Sequence, residues 1–213
     1  ILMDMELDLL EHGRARRRLE TELAIDPLTG LESHRMLEKR MQAVRQTLQG
    51  PSAVLFLDLD NLKEVNDRFG HAAGDHLIMA FSRLIRELLP EDGIATRKAG
   101  DEFVLYLPQT NGEEALQFAE RFLMAASVER PVGEYVLPLC CSIGIALDPE
   151  CRHGSSLLTD RADLAMLCAK RNGRMRVEFS CEPGEVQTDW KQAQQSVSAA
   201  STSRQEVRHG EPA

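Results

Sequence analysis

The run Ala53-Val-Leu-Phe-Leu-Asp-Leu-Asp60 constrains the fold of this chain more than any other segment. On a strand, a period of two places Val54, Phe56, Asp58 and Asp60 on one face and Leu55, Leu57 and Leu59 on the other. Both faces are apolar until the last residues, so Asp58 is an acid at the end of an otherwise buried strand. A strand end holds a side chain rigidly, and magnesium favours one or two carboxylates completed by phosphate oxygens and water. Asn61-Leu62-Lys63, Asn66-Asp67 and Gly70-His-Ala-Ala-Gly-Asp75 follow. Lys63 brings a positive charge beside the acids, as a phosphate site needs. Asn66 and Asp75 offer an amide and a carboxylate, a pair able to read the donor and acceptor edge of a purine.

A second acidic group lies at Arg97-Lys-Ala-Gly-Asp-Glu-Phe103. Strand-like segments at 94–98 and 103–107 flank it, so Asp101 and Glu102 fall at the tip of a predicted hairpin. Gly100 lets a bulky ligand approach the backbone there. Neighbouring carboxylates repel by roughly 4 kcal/mol at about 4 Å in an intermediate dielectric. A site that gathers them is usually offset by a cation. Taken alone, Gly-Asp-Glu is more often a solvated acidic turn; the upstream acids argue otherwise.

Five ordered blocks resemble the GGDEF domain, the diguanylate cyclase module of bacterial signalling. They are Asp26-Pro-Leu-Thr-Gly-Leu31, Asp58 to Asp75, Arg97 to Phe103, Ser142-Ile-Gly-Ile-Ala146, and Ala162-Asp163 through Ala169-Lys170 to Gly173-Arg174. The resemblance implies roles for individual residues. Asp58 and Asp101 would bind two divalent cations per site, Mg²⁺ or Mn²⁺, with the Leu59 carbonyl and Glu102 as further ligands. Asn66 and Asp75 would recognise guanine. Lys63, Lys170 and Arg174 would neutralise phosphate charge, while the Asn61 and Leu62 backbone, with Ala99 and Gly100 at the hairpin tip, would lie against the nucleotide. Asp101 or Glu102 would help take the proton from a ribose 3′-hydroxyl. The implied reaction joins two GTP into cyclic di-GMP, with two pyrophosphates leaving, across a homodimer.

Departures from the family pattern qualify this. Ala99 replaces the first glycine of the signature, a change of one methyl compatible with activity. Pro90-Glu-Asp-Gly93 stands where many relatives carry an Arg-x-x-Asp product-binding motif, so inhibition through that site is not expected. Ser33-His34, Leu167 (for a frequent tyrosine) and Met175 (for a common asparagine) read as packing or surface changes.

The remaining sequence bounds the organisation. With 213 residues and 43% apolar content, one domain with terminal extensions fits. A net charge of −9 argues against a nucleic-acid surface. No apolar run reaches a membrane span and no signal peptide precedes the domain, so membrane contact is not expected and a cytoplasmic setting is. Cys140, Cys141, Cys151, Cys168 and Cys181 form no Cys-x-x-Cys pair and read as bystander thiols.

Three parts are expected. Residues 1–25 place Leu2, Met5, Leu9, Leu19 and Leu23 on a heptad frame interrupted by His12 and Arg16; the pattern fits a short parallel coiled coil that joins two subunits and relays a signal, with one amphipathic helix packed on its own domain as the alternative. The opening isoleucine suggests a fragment, with an upstream sensor domain or membrane segment expected before it. Residues 26–181 alternate helices and strands: an amphipathic helix through Leu77, Ile78, Phe81, Leu84, Ile85 and Leu88, another through Leu116, Ala119, Phe122 and Leu123, and strands at 135–147 and 175–179. The expected class is α+β, a mainly antiparallel sheet flanked by helices; the resemblance makes it palm-like. Residues 182–213, poor in large apolar groups apart from Val186, Trp190, Val197 and Val207, are expected to be disordered. Three competing functions are a degenerate domain that binds GTP without turnover, a structural interaction module, and a cyclase making a different product.

Overall fold

A computed structural model describes residues 24–180. The heptad-bearing segment up to residue 23, Cys181 and the polar tail with Trp190 lie outside the described residues. Ala24 and Ile25 lie in a turn and a bridge to Glu32.

Eight strands and five helices follow, named in chain order. The strands are β1 (Glu32–Ser33), β2 (Ser52–Leu59), β3 (Ile94–Ala99), β4 (Glu102–Leu107), β5 (Arg130–Val132), β6 (Tyr135–Leu137), β7 (Cys141–Asp148) and β8 (Val177–Phe179). The helices are α1 (Leu37–Thr47), α2 (Leu62–Phe69), α3 (His71–Leu88), α4 (Gly112–Ser127) and α5 (Ser155–Arg171). The main sheet has six strands in the order β1-β3-β4-β2-β7-β8. Its three long central pairings are antiparallel, and the short edge strands β1 and β8 pair parallel. The fold is therefore α+β with a mainly antiparallel sheet.

The unbroken apolar run of β2 explains its position. Every residue from Ser52 to Leu59 is buried, with β4 on one side and β7 on the other. Leu55, Leu57 and Leu59 join a core built with α3 and α4, where Phe81 packs on Phe103 at 5.1 Å and on Phe122 at 5.5 Å between ring centroids. Val54 and Phe56 face the other way, against Leu37 and Met41 of α1 and Leu158, Ala162 and Met166 of α5. The two-residue period thus sorts the strand between two separate cores.

One expected strand is divided. The stretch 135–147 forms β6, then an irregular passage through Pro138, then β7. Proline cannot donate to a sheet ladder, which favours a break there. β6 pairs instead with β5 as a separate two-stranded ribbon, and Tyr135 stacks on Phe69 at 4.4 Å. The strand expected at 175–179 begins at Val177, because Gly173, Arg174 and Met175 all have positive φ, at 117°, 60° and 46°. Asparagine tolerates that region better than methionine. The Met175 departure is therefore a backbone matter, not simply one of surface or packing.

Candidate active site

The site forms where β2 ends. Asp58 stands directly opposite Glu102 of β4 on one side and Ser142 of β7 on the other. Two carboxylates facing each other across an antiparallel pair are unfavourable unless a cation intervenes. Two ammonium groups reach them. Lys170, at the end of α5, places Nζ 2.6 Å from Asp58 Oδ1. Lys98 lies 3.8 Å from both Glu102 Oε2 and Asp163 Oδ2, with Nζ 4.6 Å from the centre of the Phe56 ring. Burial pushes the Asp58 carboxyl up to about 6; Lys170 opposes that shift, and the charges of Asp101 and Glu102 add to it.

Asp101 follows Gly100 at the hairpin tip, and its carbonyl accepts a hydrogen bond from Leu59 N at 3.3 Å, tying the tip to the end of β2. Gly100 has φ of 50° and open space where a Cβ would stand, so glycine is required there by the backbone and not by crowding. Ala99 is exposed and paired with Glu102 across a bulge. Its methyl sits at the rim of the site.

Arg97 braces this tip. Its Nε and Nη2 donate to the Gly100 carbonyl at 3.0 and 2.8 Å, while Nη1 donates to Asp26 at 3.0 and 3.2 Å. Asp26 also accepts from the Thr29 amide and hydroxyl, at 2.8 and 2.7 Å. Burial would raise the Asp26 pKa, but the Thr29 and Arg97 contacts outweigh it and hold the carboxyl below its ordinary value. The Asp-Pro-Leu-Thr-Gly-Leu block is thus a compact turn fastened to the β3–β4 hairpin.

Asp60 lies beyond β2, and its side chain is almost wholly buried. It accepts from Ser142 Oγ at 2.7 Å and from Met175 N at 3.2 Å, with Arg174 Nε 4.0 Å away. It therefore holds the turn that carries Arg174, whose own side chain remains largely exposed.

On the other side of the strand end, Asn61 opens α2 without capping it through its side chain. The amides of the first turn, at Leu62 and Lys63, therefore face outward as an anion-binding end. Lys63 and Asp75 are exposed. Asn66 Oδ1 is buried and has no hydrogen-bond partner. A Cβ built on Gly74 would stand 2.0 Å from that oxygen, so the missing side chain makes room for the carboxamide beside Asp75. A buried acceptor left open in this way costs about 1–3 kcal/mol unless a ligand donor fills it.

The structure therefore brings Asp58, Leu59, Asp101, Glu102 and Lys170 together, with Arg174, Asn61, Leu62 and Lys63 around the same strand end and Asn66 over the start of α3. Arg97, Lys98, Asp60 and Asp26 had no role assigned from the sequence. Among the described residues, no three His, Cys, Asp or Glu side chains gather into a protein-only metal cage. Magnesium seldom uses such a cage, and two carboxylates beside open phosphate positions suit it better. Asp58, crowded by two acids and already drawing a cationic Lys170, fits a divalent cation on this ground.

Comparison with known proteins gives the family of the chain. Residues 23–176 match the family described as diguanylate cyclase, GGDEF domain. The chain is 37% identical over 180 residues to the diguanylate cyclase TpbB of Pseudomonas aeruginosa, covering 79% of this chain and 41% of that protein. It is 34% identical over 168 residues to the cyclic di-GMP phosphodiesterase PdeR of Escherichia coli, covering 78% of this chain and 25% of that one. The chain thus spans well under half the length of these curated relatives. The solved GGDEF domain of TpbB superposes with a TM-score of 0.66 at 33% identity, covering 74% of this chain and 94% of that one. This chain belongs to the GGDEF domain family, whose members include diguanylate cyclases.

Proposed function

We propose that this domain is a diguanylate cyclase, condensing two GTP into cyclic di-GMP with release of two pyrophosphates across a homodimer. The observation that carries the reading is the Asp58–Glu102 pair on adjacent strands, with Asp101 beside it and Lys170 on Asp58. An interaction module has no need of opposed carboxylates at the end of a buried strand.

Asp58, Asp101 and Glu102, with the Leu59 carbonyl, are the groups that would hold two Mg²⁺ or Mn²⁺ ions. When bound, such cations activate an attacking hydroxyl and steady the triphosphate for in-line displacement. The chain's own residues do the rest. The backbone amides at Asn61 and Leu62, with Lys63, Lys170 and Arg174, cradle and neutralise phosphate. The orphaned Asn66 Oδ1 accepts a donor of the guanine edge, and the neighbouring Asp75 carboxylate accepts another. Asp101 or Glu102 takes the proton from the 3′-hydroxyl as it attacks the α-phosphorus of the nucleotide on the facing subunit. Ala99 and Gly100 leave the tip low enough for the nucleotide to pass. Each subunit carries half of the chemistry, so the geometry of association sets the rate. The proposed limits are a signalling helix in residues 1–25, the catalytic domain in 26–181 and a tail in 182–213, working in the cytoplasm downstream of a sensor domain.

The test is GTP turnover with Mg²⁺ over a series of protein concentrations, with products separated by chromatography. Cyclic di-GMP formed faster than linearly in protein, and lost in Asp101→Ala, is the expected result. GTP binding without product would replace this reading with that of a degenerate GTP-binding domain. A different cyclic product would overturn the substrate assignment.

A further inference from the structure

The outward face of α5 carries four residues in one line, Asp160, Leu164, Leu167 and Arg171. Spacings of four, three and four keep them within a narrow stripe of the helix surface. The buried side of the same helix is Leu158, Ala162, Ala165, Met166 and Ala169, so the stripe points directly away from the sheet. All four residues are exposed, Leu164 at 65% and Leu167 at 38%. Leu164, on the outermost line of the helix, gains little from its own domain, and Leu167 beside it keeps over a third of its surface open.

The order of the stripe is acid, leucine, leucine, base, and it reads in reverse as its own complement. Two copies of α5 packed antiparallel, with a twofold axis between Ala165 and Met166, set Leu164 of each against Leu167 of the other. The same axis sets Asp160 of each against Arg171 of the other. Parallel packing would instead oppose acid to acid and base to base. A twofold contact needs one patch that complements itself, and this stripe does so in both apolarity and charge.

We propose that the Asp160–Leu164–Leu167–Arg171 stripe is a docking surface for a second copy of this chain, antiparallel across a twofold axis. Its existence does not depend on the cyclase reading; its role does. Lys170, which holds Asp58, lies about 7 Å along the helix from that axis, at 1.5 Å per residue. The two Lys170 residues therefore stand about 14 Å apart along the helices, on opposite sides of the axis. Four leucines and two exposed ion pairs make a small interface, suited to subunits already held together elsewhere.

The test uses two variants of the full chain, Asp160→Cys and Arg171→Cys, each with Cys168→Ser to remove the exposed thiol among the described residues and Cys181→Ser to remove the thiol of the tail. The two are mixed without nucleotide and treated with a short bismaleimide across a concentration series. Like residues lie about 16 Å apart along the helices across the axis, whereas Asp160 and the opposing Arg171 are in register. The mixed cross-link is expected in clear excess over both homodimers. A statistical mixture, a dominant homodimer or no cross-link overturns the proposal. Sedimentation of charge variants gives a second measurement. Asp160→Lys should weaken association, and Asp160→Lys with Arg171→Glu should restore it; failure to restore also overturns the proposal. Neither readout involves GTP, so a negative result leaves the cyclase reading untouched.

Discussion

At the scale of residues, Asp58 combines two demands that conflict in the free domain. It is buried, and it shares its strand end with Asp101 and Glu102, so its carboxyl is raised from 3.8 to about 6. Between those values the folded domain holds a proton that the unfolded chain has released. Stability therefore falls as pH rises from 4 to 6 and levels off above. A two-unit shift corresponds to about 2–3 kcal/mol of penalty at neutral pH. Asp58→Asn is expected to stabilise the metal-free domain by about 2 kcal/mol at pH 7 and hardly at all at pH 3.5, read from urea denaturation at both values. Mg²⁺ should stabilise the native chain more than the variant. Asp58, Glu102 and Asn66 were legible in the sequence because strand period and local spacing carry them. Arg97, Lys98 and Asp60 were not, because beside their local contacts they join distant segments, at Asp26, Asp163, Ser142 and Met175.

At the scale of elements, the height of α5 above the sheet decides whether Lys170 can reach Asp58. Gly144, midway along β7, lets the helix down. A Cβ there would stand 2.0 Å from the Ala162 carbonyl oxygen and 2.2 Å from the Met166 amide nitrogen, both backbone atoms with nowhere to go. Gly144→Ala is expected to cost at least about 3 kcal/mol in thermal or urea unfolding, by forcing helix and sheet apart. The variant that remains folded should also bind GTP more weakly, because the Lys170–Asp58 contact opens. The helices α3 and α4 were legible from their apolar periods. The division of 135–147 was not, since two short strands and a buried long one share the same composition, and only pairing with β5 separates them.

At the scale of the whole molecule, the sheet has two unlike ends. One gathers the acids Asp58, Asp101 and Glu102. The other holds Asp148, fully buried, where it accepts from Arg45 Nη2 at 2.9 Å, from the amides of Arg152 and His153, and pairs with His153 Nδ1 at 2.8 Å. Arg45 also donates to the His153 carbonyl and to Tyr106 Oη, fastening α1 to β4 and to the loop after β7. Arg45→Ala is expected to destabilise the domain by about 3 kcal/mol, by leaving a buried charge poorly paired, while GTP affinity of the folded fraction stays unchanged. Thermal unfolding and nucleotide titration on one preparation separate the two effects. The order of this sheet also bears on how the chain is made. The central strand β2 needs β4 and then β7, and roughly 80 residues lie between β2 and β7, about 4–16 s of synthesis at ordinary ribosome speed. Through that interval a strand whose every residue is buried in the folded domain has been made with a bare hydrogen-bonding edge. During biosynthesis the domain depends on whatever shields a nascent chain until its seventh strand arrives.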